Sequence, residues 1–438
     1  MIIADNIYYL QLKKDYYFMK HNNIIYRDML KDLSELIALE SLLDTPSNNA
    51  PFGVAMKNTL DWFIDKAQGY GLSAYNKDGY YGVVEIGAGE YMFAFAAHLD
   101  TVEAGTNWTY PPFELTQKNG MLYGRGVVDN KGPAIAVLHV LKALKESDAK
   151  FKGRIRLIVG CNEETGSLCL KKYAEIDEIP AFTLVPDADF PVIYSEKGIM
   201  QFKLELDVCS KFTKRITTLN FGGVNTNMIP NEARAIFDGK EIVTSGIAGH
   251  AMAPENADNA SWKLFQKLEG VCKCCAQKIY GVLCCHENKF LLNCEDEVSG
   301  KMTMAMTKGR LANNKLTLTF DTRLPICADK DKIIVVLERA LDAKATILAY
   351  KENLFIDPNS DLIKTLVAIY QKETGDLKAK PKKIGGGTYA RELPNAIAFG
   401  ATFDDDNSHI HNADENVSAS HFNKWFDIYY AAALELSK

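Results

Sequence analysis

No long basic run occurs in this 438-residue sequence, and its 50 Lys and Arg are outnumbered by 56 Asp and Glu, for a net charge of −6. The electrostatic footprint of a nucleic-acid or membrane-surface binder is therefore missing, and a small-molecule partner is expected instead. Long apolar runs are missing too. The most apolar stretch, Tyr91 to Ala97, is far shorter than the roughly 20 residues that span a bilayer. Met1 to Lys20 mixes Asp, Lys and Tyr among its apolar residues and lacks the continuous core of a signal peptide. A cytoplasmic, membrane-free protein is expected. Internal repeats and low-complexity tracts are likewise absent.

At 47% hydrophobic and 24% charged residues the composition is that of a folded globular enzyme, and the length calls for more than one core. Ten cysteines in a chain without a secretion signal are expected to stay reduced. Six crowd between Cys272 and Cys294. Cys272 and Cys275 form a C-x-x-C followed by Cys284, Cys285 and His286, which raises a structural zinc site. The alternative is one buried helical stripe through Leu264, Leu268, Val271, Cys272, Cys275 and Ile279, with cysteine as a small apolar residue.

The first half alternates strand-like segments (Met92 to Ala97, Arg154 to Gly160, Phe182 to Val185) with helix-like ones, chiefly a helix from about Asp129 to Glu146. This predicts an α/β fold, a mostly parallel sheet covered by helices. After Asp189 the character changes: a strand near Gly198 to Val208, a helix near Ser261 to Tyr280 and a strand at Lys315 to Arg323 read as a separate α+β unit. Asn359 to Glu373 returns to amphipathic helix, with Gly375 just beyond its end. The expected layout is a catalytic domain over 1–197 and 357–438, interrupted by a lid domain over 198–356.

Four polar motifs fall just beyond candidate strand ends, where open α/β sheets form their binding crevice. AAHLDTVEAG carries His98 and Asp100, two residues apart and so on one face of an extended chain. A carboxylate there suits the second-sphere partner of a metal-bound imidazole. GRGVVDNKGP brings Asp129 to a helix start, where it could also be a plain N-cap. CNEETGS ends a strand on Glu163 and Glu164, whose side chains face opposite ways. FTLVPDADFP presents Asp187. Completed by a distant histidine, this mixed nitrogen and oxygen set suits two borderline divalent ions bridged by a carboxylate.

HLDTVEAG, GRGVVDNKGP, NEETGS, PDADFP, GHAMAP, GGGTYAR and HNADENV occur in the order and at the spacings of a known family. Over nearly its whole length the chain resembles the PepV-type dipeptidases of the di-zinc peptidase family that includes aminoacylases and carnosinases. The resemblance implies metal ligands His98, Asp129, Glu164, Asp187 and His411, with Asp129 bridging. Glu164 would join His98's ion and His411 would join Asp187's. His409, two residues before His411, is the competitor for the last position. It also implies Glu163 as general base, Asp100 behind His98, and His250 in GIAGHAMAP as a donor to the developing oxyanion.

Asn227 in NTNMIP and Arg323 in FDTRLP match lid residues that bind substrate, and Arg323 is suited to clasp an α-carboxylate. Gly386, Gly387 and Thr388 belong to a loop that approaches the carboxylate end. A phosphate cradle is the rival for these glycines, but no Lys-Ser or Lys-Thr follows them. Glu103 stands where the family commonly has proline, and Asn130 where it has a second Asp; neither change removes a ligand.

The expected activity is hydrolysis of dipeptides with a free N-terminus by a monomer using two divalent ions, zinc before manganese or cobalt. The alternatives are an N-acyl-amino-acid amidohydrolase and a catalytically silent ligand-binding protein.

Overall fold

The computed structural model describes residues 23–147, 149–223, 225–271, 279–284 and 294–437. The C-x-x-C at Cys272 and Cys275, together with Cys285 and His286, lies outside these residues. The chain divides into two compact units. One runs to Tyr194 and takes in Asp357–Lys382 and Thr388–Lys438; the other holds Ser195–Ile356 and Lys383–Gly387. The transfer of Lys383–Gly387 to the second unit has no counterpart in the sequence expectation.

The first unit is built on a twisted sheet of β1 (Ser73–Lys77), β2 (Tyr81–Gly87), β3 (Met92–His98), β4 (Arg154–Gly160), β5 (Phe182–Val185), β6 (Ile193–Glu196) and the later strand Ala396–Ala398. Its order is β1-β2-β4-β3-β5-(Ala396–Ala398)-β6. The centre is parallel: β3 with β4, β3 with β5, and β5 with Ala396–Ala398. The margins are antiparallel, at β1 with β2, β2 with β4, and Ala398 opposite Ile193. The sheet is thus mixed, and the expected parallel arrangement describes its core.

MFAFAAH in β3 is buried at every position and RIRLIVG in β4 at all but the first. Both faces of these strands are covered, so they read as continuous apolar runs rather than alternating ones. Helices α1 (23–37), α2 (Val54–Gly69), α3 (Lys131–Glu146) and α4 (Leu168–Ile176) supply part of that cover. The C-terminal helix Ala419–Leu436 packs on α3 and buries Trp425, whose Nε1–H donates to the Ala401 carbonyl at 2.6 Å. The helix Asp361–Thr374 starts on the Ser360 hydroxyl, which accepts from Ile363 N, and stops at Gly375 with φ 80°.

The second unit carries a seven-stranded antiparallel sheet. Its strands are β7 (Gly198–Asp207), β8 (Ile216–Phe221), β10 (Glu232–Phe237), β11 (Lys240–Ser245), β13 (Thr303–Ala312), β14 (Lys315–Leu324) and β15 (Ala343–Lys351), in the order β11-β10-β8-β13-β14-β7-β15. A two-stranded ribbon of β9 (Met228–Ile229) and β12 (Gly249–His250) is hydrogen-bonded separately from it and packs against Ala305 of β13. Along β7 buried and half-buried residues alternate, as one covered face requires. Met200, Phe202, Leu204 and Leu206 meet Leu264, Phe265 and Leu268 of one helix and Ile333, Leu337 and Leu341 of another in the unit's core. No helix among the described residues is long and apolar enough to cross a membrane.

Candidate metal centre

The parallel strands of the first unit end side by side, and the polar motifs begin where they end. His98 is the last residue of β3 and lies opposite Gly160 of β4. A Cβ on Gly160 would stand 1.8 Å from the Tyr389 hydroxyl, so only glycine lets that ring approach. Tyr389 in turn meets the His98 ring edge-on at 6.0 Å and contacts Cys169 Sγ at 2.9 Å.

His98 is fully buried, and its Nδ1 is 3.0 Å from the Asp100 carbonyl oxygen and 3.4 Å from Asp100 Oδ1. Asp100 spends its carboxylate elsewhere. Oδ1 and Oδ2 accept the backbone N–H groups of Glu163 and Glu164, each at 3.0 Å. It therefore locks the turn after β4 to the end of β3. Asn162 completes that turn by accepting Leu168 N at 2.8 Å.

Asp129 is not the N-cap of α3. That position falls to Asn130, whose side chain makes no capping bond. Asn130 Nδ2 donates to the Pro186 carbonyl at 2.6 Å and to Asp187 Oδ1 at 3.4 Å, while Oδ1 accepts the His98 N–H at 3.4 Å. Asp129 is left to face two imidazoles: Oδ1 lies 2.9 Å from His98 Nε2, and Oδ2 lies 2.9 Å from His411 Nε2.

Around this carboxylate the candidate ligands fall into two groups. His98, Asp129 and Asp187 form one; Asp129, Glu164 and His411 form the other. In each, the donor atoms lie within 4.8 Å of one another. His98 Nε2 to Asp187 Oδ1 is 3.8 Å, and His411 Nε2 to Glu164 Oε1 is 3.1 Å. The five residues expected as ligands stand together, but the pairing differs from the expectation: His98 goes with Asp187, and His411 with Glu164. His409 turns its Nδ1 toward the Ala413 carbonyl at 3.3 Å. His411 holds φ at 63° and His409 at 52°, so the left-handed backbone is common to both and the side-chain contacts tell them apart.

Negative groups outnumber positive ones in this cluster. Asp100, Asp129, Glu163, Glu164 and Asp187 are five carboxylates against the two imidazoles. Burial, the negative charge of Asp187 and that of Glu164 hold the Glu163 carboxyl well above its ordinary range. Burial and Asp129 push Glu164 up to about 7. Hydrogen bonds that His411 donates to the Asp129 and Glu164 carboxylates raise it to about 11. Burial works against a charged His98, yet its carboxylate neighbours raise it as well. His98 Nε2 is also buried without a hydrogen bond of acceptable geometry although carboxylate oxygens surround it. An orphaned nitrogen amid excess negative charge fits residues arranged to hold divalent cations.

Glu415 is the site residue that the sequence reading missed. Fully buried, it accepts Arg125 Nη1 at 2.8 Å and Gly126 N at 3.0 Å on one oxygen, and Val128 N at 2.9 Å and Asp129 N at 3.1 Å on the other. Arg125 Nη2 donates onward to the Asn412 carbonyl at 3.1 Å. The loops bearing Asp129 and His411 are thereby tied together. Its position inside HNADENV, four residues after His411, was the available signal. A further trio of Asp405, Asp406 and His421 also gathers ligand atoms. There His421 bonds Asp406 at 2.7 Å and stacks on Phe403 at 4.1 Å, which accounts for it without an ion.

The remaining candidates lie in the second unit, save Thr388. His250 Nδ1 accepts Met252 N–H at 3.0 Å, which assigns the ring proton of the neutral imidazole to Nε2. Nε2 lies 3.2 Å from Asn227 Nδ2, so the amide must turn over before its carbonyl can take that proton. Arg323 is buried and already engaged: Nε and Nη2 bond Asp321 at 2.7 and 3.3 Å, and Nη1 donates to the Gly385 carbonyl at 3.2 Å. Those contacts use three of its five N–H donors. Gly386 lies against the Met252 thioether. Thr388 accepts Ala390 N at 3.3 Å and caps the short turn Tyr389–Glu392.

The family model described as Peptidase family M20/M25/M40 matches residues 94–435. The chain belongs to peptidase family M20/M25/M40. It is a metallopeptidase. YtjP of Bacillus subtilis (strain 168), which carries a provisional dipeptidase name, is 28% identical over 452 residues, covering 94% of this chain and 97% of the relative. A similarly named protein of Staphylococcus epidermidis is 29% identical, with 93% and 97% covered. Among solved structures, the Dug1p di-peptidase of Saccharomyces cerevisiae matches with a TM-score of 0.61 at 13% identity, covering 95% of this chain and 97% of that one. Human carnosine dipeptidase 1 matches with a TM-score of 0.59 at 14% identity, covering 95% and 98%. These structural matches extend the shared fold over both units of this M20 protein.

Proposed function

We propose that this M20 enzyme hydrolyses the amide bond of dipeptides with a free N-terminus, with two divalent ions, zinc before manganese or cobalt. The observation that carries the reading is Asp129, shared at 2.9 Å on each oxygen by His98 on one side and His411 on the other. His98, Asp129 and Asp187 would hold one ion, and Asp129, Glu164 and His411 the other. Ions there would polarise the scissile carbonyl and acidify the attacking water.

The chain's own groups do the rest. Glu163, a carboxyl whose pKa is raised by burial and negative neighbours, accepts the proton of the attacking water and returns it to the leaving amine. Asp100 holds Glu163 and Glu164 in place through their backbone N–H groups. His250 donates Nε2–H to the developing oxyanion, with Asn227 beside it. Arg323 takes the substrate carboxylate with the donors that Asp321 and Gly385 leave, and the backbone of Gly386, Gly387 and Thr388 helps.

Dipeptides are preferred over N-acyl amino acids because relatives alike over nearly their full length carry dipeptidase names. The same reading has the enzyme act in the cytoplasm as a monomer. Metal-loaded protein should cleave members of a dipeptide panel, and metal analysis should return two ions per chain. Cleavage of N-acyl amino acids alone would transfer the assignment to a deacylase. Bound metal with no cleavage of either class would favour a silent receptor.

A further inference from the structure

The ribbon of β9 and β12 sorts its side chains by simple alternation. Ile229 and Ala251 point inward and pack on Ala305 in a small core of their own. Met228 and His250 are directly opposed across the pair, so they share the other face. Met252 lies in the turn that follows, closed by the Ala253 N–H on the His250 carbonyl at 3.1 Å. Two large apolar side chains consequently flank the proposed oxyanion donor in the open, Met228 at 39% exposure and Met252 at 41%.

Met252 is held at both ends. Its N–H donates to His250 Nδ1, and its thioether and carbonyl lie against Gly386 and Gly385. The Gly385 carbonyl in turn accepts from Arg323 Nη1. His250, Met252, Gly385 and Arg323 thus form one continuous strip within the second unit. If the scissile carbonyl faces His250 and the α-carboxylate faces Arg323 and Gly385, the residue between them is the substrate's C-terminal one. Its side chain emerges alongside Met252.

We propose that Met252, with Met228 beside it, is the specificity determinant for the C-terminal residue of the substrate and selects apolar side chains there. The proposal rests on the roles given to His250 and Arg323 above. A thioether on an unbranched stem is polarizable and adapts to many shapes, so the preference extends over leucine, methionine and phenylalanine rather than one of them. Acidic C-terminal residues gain nothing from this surface and lose solvation on it.

The test compares kcat/KM for Ala-Leu, Ala-Phe, Ala-Gly, Ala-Asp and Ala-Lys in the parent, Met252→Ala and Met252→Asp, all as the full metal-loaded chain. Met252 is exposed, and its N–H bond to His250 survives any side-chain change, so both variants should fold. The parent should favour Ala-Leu over Ala-Gly, and Met252→Ala should reduce that ratio about tenfold, the scale of a lost apolar pocket contact. Met252→Asp should shift preference toward Ala-Lys. An unchanged Leu-to-Gly ratio in both variants would overturn the proposal. N-acetyl-leucine and N-acetyl-glycine carry the same terminal residue, so if the enzyme proves a deacylase the ratio is read on them. Calorimetric binding of Ala-Leu and Ala-Gly reports the same ratio should neither series turn over.

Discussion

Replacing Glu415 tests whether the loop behind the proposed metal ligands is part of the site. Its two oxygens take four donors: the Arg125 guanidinium and the N–H groups of Gly126, Val128 and Asp129. Glu415→Ala would leave a buried guanidinium unpaired, at a cost of about 3–5 kcal/mol, a large part of a domain's stability. Glu415→Gln is the better probe because it keeps the shape. Its carbonyl serves the two donors on one side, while its NH2 group faces the other two; the mismatch should cost about 2–4 kcal/mol. Asp129 begins at one of the N–H groups concerned, and Arg125 reaches the Asn412 carbonyl beside His411. Metal affinity should therefore fall about 10- to 100-fold, as it does when groups supporting ligands are removed. Competition against a chromophoric chelator reads the affinity, and thermal unfolding of chelated protein reads the stability. Pairing Arg125→Met with Glu415→Gln removes the charge mismatch and should recover part of the stability without recovering the affinity. A Glu415→Gln protein that is destabilised but binds both ions as tightly as the parent would refute the reasoning, since Glu415 would then stabilise the fold and leave the ligands indifferent.

Glu163→Gln should lower kcat about 10²- to 10⁴-fold with both ions still bound, as expected for loss of a general base; parallel loss of metal would show the residue to be a ligand instead. Arg323→Ala should weaken dipeptides with a free C-terminus far more than amidated ones, and equal losses would remove it from carboxylate binding. Asp32 is held at about 2 by hydrogen bonds from His139, Tyr70 and Lys66 that outweigh its burial. Its folded pKa is depressed, so its stabilisation of about 2 kcal/mol is complete above pH 4 and fades as the pH falls toward 2. Urea midpoints of the parent and Asp32→Ala should accordingly converge over that interval, and a gap that stays constant would rule out the carboxylate as its source.

Much of the first unit was legible because burial on both faces leaves an unmistakable pattern. Arg154–Gly160 and Phe182–Val185 have the bounds their apolar runs suggest, and Met92 to Ala97 extends by one residue to include His98. The helix expected from Asp129 begins at Lys131, and the difference matters: an Asp at a helix start reads as a cap, whereas here Asn130 occupies that position and frees Asp129. Glu415 was not legible in the same way, because it acts through a guanidinium 290 residues away in sequence and through backbone N–H groups, contacts that leave no local spacing to read. Asp321 stands two residues before Arg323 in FDTRLP, a spacing at which neighbours on one face of a strand can pair. Arg323 was read as an open clasp, whereas the Asp321 carboxylate already fixes one edge of its guanidinium.

The pairing of ligands shows where motif order stops being informative. β3 lies between β4 and β5, so His98 has Glu164 on one neighbouring strand end and Asp187 on the other. The resemblance implies Glu164 beside His98, whereas Glu164 stands nearer His411 and Asp187 nearer His98, and two side chains outside the candidate ligand set favour that arrangement. Asp100 gathers the backbone of Glu163 and Glu164, which fixes that turn by its main chain and leaves the Glu164 side chain 3.1 Å from His411. Asn130 bonds the His98 N–H on one side and the Pro186 carbonyl and Asp187 on the other, drawing the end of β5 toward β3. An amide can make both contacts at once because it donates and accepts, whereas an ionised Asp in its place could only accept. Asn130→Asp should thus loosen Asp187 from His98 specifically, lowering affinity for the ion they share while leaving the ion of Glu164 and His411 in place; a chelator titration that loses both ions together would count against this division of labour.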